Sequence, residues 1–138
     1  MSTKIVPKKS LGQNFLTNPR ILDRIVATAE ISKEDVVLEV GPGTVNLTKK
    51  LAEKSGKVIT IEKDRRLIKE LKEKFKNTNI QIIEEDVLKF DPKSCKLKTN
   101  SYKIVANIPY YITSRFLRTV FEKWAKPELI VLTIQKEV

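Results

Sequence analysis

Three carboxylates, one glycine turn and one amide carry most of the chemical possibilities of this sequence. Glu39 precedes the turn Gly41-Pro42-Gly43-Thr44, Glu62 follows Gly41 by twenty-one residues, Asp86 stands beside Val87, and Asn107 opens the run Asn107-Ile108-Pro109-Tyr110. A carboxylate at that distance from a Gly-x-Gly turn is placed to accept hydrogen bonds from a ribose diol. The Asn-Ile-Pro-Tyr run suits methyl transfer to an exocyclic aromatic amine. The lone pair of such an amine is conjugated into its ring, which makes it a poor nucleophile. An amide oxygen on Asn107 and a neighbouring backbone carbonyl can accept its two N–H hydrogens, favouring a pyramidal nitrogen aimed at an electrophile. Pro109 stiffens the turn, and Tyr110 offers a flat face for an extruded base.

Composition narrows the alternatives. The 138 residues include no His and one Cys, Cys95. That excludes Ser-His-Asp and Cys-His hydrolysis, disulfide frameworks, Cys-rich zinc sites and iron–sulfur clusters, and no metal is expected. At 41% hydrophobic and 32% charged, the chain reads as one globular domain. No stretch approaches about 20 consecutive apolar residues, so a cytoplasmic protein with no membrane partner is expected. The net charge of +10 divides as +3 over residues 1–30, +1 over 31–86 and +6 over 87–138. Basic ends around a neutral middle would attract a phosphate backbone; a Lys-rich solvated surface is the competing explanation.

The elements that must position these residues alternate. Ile21, Leu22, Ile25 and Val26 lie at helical spacing after an Asn18-Pro19 start, giving a helix over 18–30. Strands are expected at 36–40, 57–62, 80–84, 102–106 and 129–134, with helices at 46–55, 64–76 and 113–124 between them. This is the grammar of a parallel, doubly wound α/β sheet, whose ligands sit beyond the carboxyl ends of the strands. Four strands deliver Glu39 with the glycine turn, Glu62, Asp86 and Asn107-Ile108-Pro109-Tyr110 to one crevice. Taken singly, the signals are weaker. Asn46 stands where a full dinucleotide fingerprint has its last glycine, and Glu62 or Asp86 could be caps or loop charges. The bland alternative for the last run is a turn with Tyr110 and Tyr111 packed on the core.

Six blocks in order resemble the N-terminal, catalytic portion of the ribosomal RNA adenine N6,N6-dimethyltransferases, relatives of the erythromycin-resistance methyltransferases. They are residues 9–16 (KSLGQNFL), 38–44 (LEVGPGT), 61–64 (IEKD), 85–88 (EDVL), 106–114 (ANIPYYITS) and 135–138 (QKEV). The resemblance implies a Rossmann-like class I S-adenosylmethionine-dependent methyltransferase fold, with residues 1–30 as a basic, helical extension. It implies S-adenosylmethionine as cofactor. Gln13, Asn14 and Leu16 would lie near its methionine end, and Gly41 and Gly43 would lie under it, with Glu39 just before that turn also binding the cofactor. Glu62 would meet its ribose, and Asp86 and Val87 its adenine. Asn107, with Ile108 and Pro109, would face the target N6, and Tyr110 would stack on the target base. The implied substrate is a pair of adjacent adenosines in a hairpin near the 3′ end of small-subunit ribosomal RNA, in a pre-30S-type particle.

Two departures accompany the resemblance. Val45 stands at the third glycine of the family's turn. The pattern also leads one to expect a fold cut after the fifth strand, without the further strands and helical RNA-binding domain. On that expectation the strand at 129–134 exposes an unpaired edge and invites self-association. The alternative reading is a module that binds S-adenosylmethionine or RNA without turnover.

Overall fold

The computed structural model describes residues 2–7, 18–41 and 45–135. Their order is β1 (Ser2–Pro7), α1 (Pro19–Thr28), β2 (Val36–Val40), α2 (Asn46–Lys54), β3 (Lys57–Glu62), α3 (Arg65–Lys74), β4 (Ile80–Glu84), β5 (Lys103–Pro109), α4 (Tyr110–Lys123) and β6 (Leu129–Gln135). Local chemistry sets the helix starts. The Asn18 side chain accepts the Arg20 backbone N–H at 3.0 Å with Pro19 in the first turn, and Asp64 does the same for Arg66 at 3.0 Å.

The strands form one parallel sheet in the order β1-β6-β5-β2-β3-β4. The chain winds outward from β2 through β3 to β4, then returns to β5 and winds the other way to β6. The reversal falls between β2 and β5, where a doubly wound sheet opens a crevice. One face packs Val37, Val58, Val105 and Val131 against Leu22, Ile25, Leu47 and Leu51 of α1 and α2. The other packs Leu38, Ile59, Ile104, Ile130 and Leu132 against Phe116 and Val120 of α4 and Trp124 at its C-cap. Trp124 receives Phe90 and Phe116 edge-on, at centroid distances of 5.8 and 5.7 Å. Central strands buried on both faces explain why they read as continuous apolar runs rather than alternating ones.

Three features differ from the sequence expectation. First, β5 runs to Pro109 rather than Ala106, and α4 begins at Tyr110 rather than Thr113, so strand passes into helix without a loop. Pro109 at that junction has φ −59° and no N–H to leave unpaired. Second, the segment between β4 and β5, where no regular element is expected, contains a short 3₁₀ turn, Pro92–Cys95, capped by Asp91.

Third, the edge expected to lie open is occupied. Ser2–Pro7 pairs with β6 in parallel register from Ser2↔Leu129 to Pro7↔Ile134, which removes the basis for self-association through that strand. The Lys4 ammonium donates to Glu30 Oε1 at 2.6 Å and to the Thr28 carbonyl at 3.2 Å, tying the strand to the end of α1. A short edge strand with a lysine and a terminal proline is a poor template for further pairing.

A buried ion pair fastens the opposite end of β5. Lys103 Nζ donates to the Glu30 carbonyl at 2.7 Å and to Asp35 Oδ2 at 3.1 Å, with both side chains largely removed from water. Asp35 Oδ2 also accepts the Ser32 backbone N–H at 2.7 Å. Truncating Lys103 to Ala leaves the half-buried Asp35 carboxylate held by Ser32 but without its counter-charge, with an expected loss of about 1–3 kcal/mol in urea unfolding. A loss below about 1 kcal/mol would mean that the pair behaves as a surface contact.

Candidate active site

The carboxyl ends of β2, β3, β4 and β5 surround a cavity of about 310 Å³. Val40 and Gly41 come from β2 and its exit, and Ile61, Glu62 and Lys63 from β3. Glu85, Asp86, Val87 and Leu88 follow β4. Asn107, Ile108 and Pro109 end β5, with Ile112 and Arg115 from α4. Of the residues singled out in the sequence, Gly41, Glu62, Asp86, Val87, Asn107, Ile108 and Pro109 meet in this one wall. Tyr110 stands next to it and is 61% exposed, and Tyr111 is 71% exposed, so neither packs on the core. Gln13, Asn14, Leu16 and Gly43 lie outside the described residues.

Gly41 makes the juxtaposition of β2 and β5 possible. Its φ is +77°, and a Cβ there would stand 2.7 Å from the Asn107 carbonyl oxygen. Only a residue without a side chain can pass this carbonyl in that conformation. The glycine therefore makes room for a backbone acceptor of the Asn-Ile-Pro-Tyr run. The Asn107 side chain supplies the second acceptor. Its Oδ1 is buried and has no hydrogen-bond partner among the described residues. An unmet buried acceptor costs about 1–3 kcal/mol, a deficit that an arriving N–H donor would remove.

The carboxylates do different work. Glu62 Oε2 accepts the backbone N–H groups of Lys63 and Asp64 at 2.7 and 3.2 Å, which pins the turn after β3. Asp86 Oδ1 accepts the Leu88 N–H at 2.9 Å. Both remain in the cavity wall with acceptor capacity to spare. Glu39 is not among the described lining residues; it is 1% exposed, behind the wall. Its Oε1 accepts the hydroxyls of Thr48 at 2.5 Å and Thr60 at 2.6 Å, joining α2 to β3, while Oε2 has no described partner. Burial pushes its pKa up, against the lowering effect of the two hydroxyls.

Val45, at the position of the family's third glycine, holds a backbone conformation that favours glycine. It caps α2 in the left-handed region, φ 63° and ψ −4°, without a side-chain capping bond, and packs against the Ile68, Leu71 and Phe75 cluster. A β-branched residue in that region is strained.

Sequence reasoning assigned no role to Lys63, Glu85, Leu88, Ile112 or Arg115. Lys63, Glu85, Leu88 and Ile112 fall inside the quoted blocks, and their adjacency to assigned residues was the available signal. Arg115 becomes visible only because α4 starts at Tyr110 and brings position 115 back over the cavity.

A doubly wound parallel sheet with its cavity at the reversal point, a glycine turn after the first core strand and an acidic residue after the second define the Rossmann-like class I methyltransferase fold. Solved structures agree. The 23S rRNA methyltransferase ErmE superposes with a TM-score of 0.69 at 36% identity, over 79% of this chain and 43% of that one. A dimethyladenosine transferase from Plasmodium falciparum superposes with a TM-score of 0.63 at 36% identity, over 78% of this chain and 39% of that one. Residues 6–138 match the family description "Ribosomal RNA adenine dimethylase", and the chain belongs to that family. Ribosomal RNA small subunit methyltransferase A of Dehalococcoides mccartyi is 46% identical over 132 residues, 95% of this chain and 45% of that protein. The chain thus spans about half the length of the curated relatives it matches.

Three outcomes test this geometry. Gly41→Ala should cost at least about 2 kcal/mol, because it adds left-handed strain to a backbone clash; unchanged urea unfolding would contradict the close approach. Val45→Gly should stabilise by about 0.5–1 kcal/mol, strain relief exceeding the lost packing, whereas a lowered urea midpoint would reverse that order. Glu39 holds its proton more tightly folded than unfolded. Its contribution is therefore complete below the ordinary value of 4.5 and declines as pH rises toward the elevated folded value. Glu39→Gln removes this titration, so urea midpoints should shift in favour of the variant as pH rises above about 4.5, and a pH-independent difference would refute it.

Proposed function

We propose that this chain is the cofactor-binding and catalytic portion of an S-adenosylmethionine-dependent enzyme that dimethylates N6 of two adjacent adenosines in a small-subunit ribosomal RNA hairpin. The observation that carries the reading is the buried Asn107 Oδ1 in the cavity wall, without a partner among the described residues, beside the Asn107 backbone carbonyl for which Gly41 makes room. Two acceptors at the end of one strand suit the two N–H hydrogens of an exocyclic amine. The exposed ring of Tyr110 beside them suits a base taken out of its stack. The reading also draws on relatives named for ribosomal RNA small subunit methylation and dimethyladenosine transfer.

The wall fits the cofactor. Glu62 has acceptor capacity for a ribose diol, Asp86 for an adenine amine, and Ile61, Val87 and Ile108 supply apolar surface for a ring. Gln13, Asn14 and Leu16 are assigned to its methionine end, and Gly41 and Gly43 to the turn beneath it. When bound, the cofactor supplies an electrophilic sulfonium methyl. The chain's own residues orient the amine, hold the base and exclude water; no side chain need become a nucleophile. A cytoplasmic site of action and a pre-30S-type particle as partner follow from this substrate.

A binding module without turnover is the competing reading, and the strain at Val45 favours it. Calorimetry with S-adenosylmethionine, followed by methyl incorporation into an RNA hairpin with two adjacent adenosines, separates the two. Binding with incorporation supports the enzyme; binding without incorporation supports the module. In a full-length context Asn107→Ala should abolish transfer while leaving cofactor affinity within about twofold. Normal turnover in that variant would remove Asn107 from its assigned role.

A further inference from the structure

The cavity is electrostatically lopsided. Its β3 and β4 side carries Glu62, Glu85 and Asp86 with one lysine, Lys63, whereas its α4 side carries Arg115 and no acid. Arg115 and Arg118 are exposed, and among the described residues neither enters an ion pair. A polyanion approaching this cavity is repelled from one rim and drawn to the other.

The α4 rim is also aromatic. Four large apolar side chains are exposed on the described surface, and two of them, Tyr110 and Tyr111, are adjacent here. Tyr111 is 71% exposed and does not line the cavity, so the binding of one extruded base does not use it. It lies four residues before Arg115 on the same helix, a spacing that puts the two on one face. An aromatic ring one turn from an unpaired guanidinium is the pairing that single-stranded nucleic acid recognises, base on ring and phosphate on cation.

Resting on the function proposed above, we infer that Tyr111 and Arg115 form a second nucleotide subsite, for the unpaired RNA nucleotide next to the one entering the cavity. Its base stacks on Tyr111 and its phosphate meets Arg115. Tyr110 and Tyr111 then receive successive bases, and the RNA backbone leaves along α4, away from the carboxylates. The subsite needs an unpaired neighbour because a duplex does not offer a free base face.

The test compares the parent chain with Tyr111→Ala, Tyr111→Phe, Arg115→Gln and the Tyr111→Ala/Arg115→Gln pair. The probe is a labelled single-stranded RNA carrying two adjacent adenosines, titrated at several salt concentrations, with S-adenosylmethionine affinity measured alongside. Both positions are solvent-exposed, and circular dichroism checks that each variant is folded. Tyr111→Ala should weaken RNA binding about tenfold while Tyr111→Phe retains it. Arg115→Gln should weaken binding and reduce the salt slope by about 0.7. Cofactor affinity should be unchanged throughout. Parent-like RNA affinity and slope in the variants would overturn the subsite, as would cofactor affinity falling with Arg115→Gln, which would assign the arginine to the cofactor. A parent chain that binds cofactor but not RNA would overturn the inference together with the RNA-directed function. RNA binding that is indifferent to these residues overturns the inference alone.

Discussion

The approach of Gly41 to the Asn107 carbonyl is the constraint on which the site depends. Gly41 directly follows β2 and Asn107 lies near the carboxyl end of the adjacent strand β5, at the point where the sheet reverses its winding. With φ +77° and 2.7 Å between a hypothetical Cβ and that oxygen, position 41 leaves no volume for a side chain. The side of the cavity assigned to the cofactor and the side carrying the amide acceptors are thereby held within one short span of backbone. Positioning at this scale is what amine methylation requires, since its difficulty lies in orientation and lone-pair geometry.

Behind that wall, a polar layer does structural work. Glu39 gathers the hydroxyls of Thr48 and Thr60 and joins α2 to β3, so the helix that follows the glycine turn cannot drift from the strand that presents Glu62. Burial raises the pKa of this carboxyl by depriving its charged form of water, while the two hydroxyls act in the opposite direction. Val45 works against the same turn: it holds a left-handed conformation without a glycine and is retained by packing on the α3 cluster. Strain of this kind persists where surrounding contacts over-determine the backbone.

Much of the fold was legible in the residues, and the reasons are physical. Apolar runs of strand length ending in glycine or acidic residues, separated by segments of helical period, describe a doubly wound sheet with little ambiguity. Gly41, Glu62, Asp86, Val87 and Asn107 were legible as neighbours around one cavity because each stands at or just after the carboxyl end of a strand. Position along the chain thus specifies position in the sheet. Glu39 shows the limit of that rule: it stands on β2 as foreseen, but alternation turns its side chain toward Thr48 and Thr60 rather than into the cavity. The strand at Ser2–Pro7 was not legible. Six residues containing a lysine and a proline carry no periodic signal, and their strand identity comes entirely from the edge of β6 that they meet.

By itself, the sequence determined the parallel α/β class, the family and the residue types of the site, because local pattern and short motifs suffice for these. Tertiary structure decided which of those residues share a wall. It decided that Glu39 is a buried clamp, that Val45 is strained, that β1 covers the edge of β6, and that Arg115 and Tyr111 form a basic, aromatic rim. These are relations between segments distant in the chain. They depend on register, side-chain alternation and the exact residue at which a helix begins, and a shift of a few residues in the start of α4 would turn Arg115 away from the cavity.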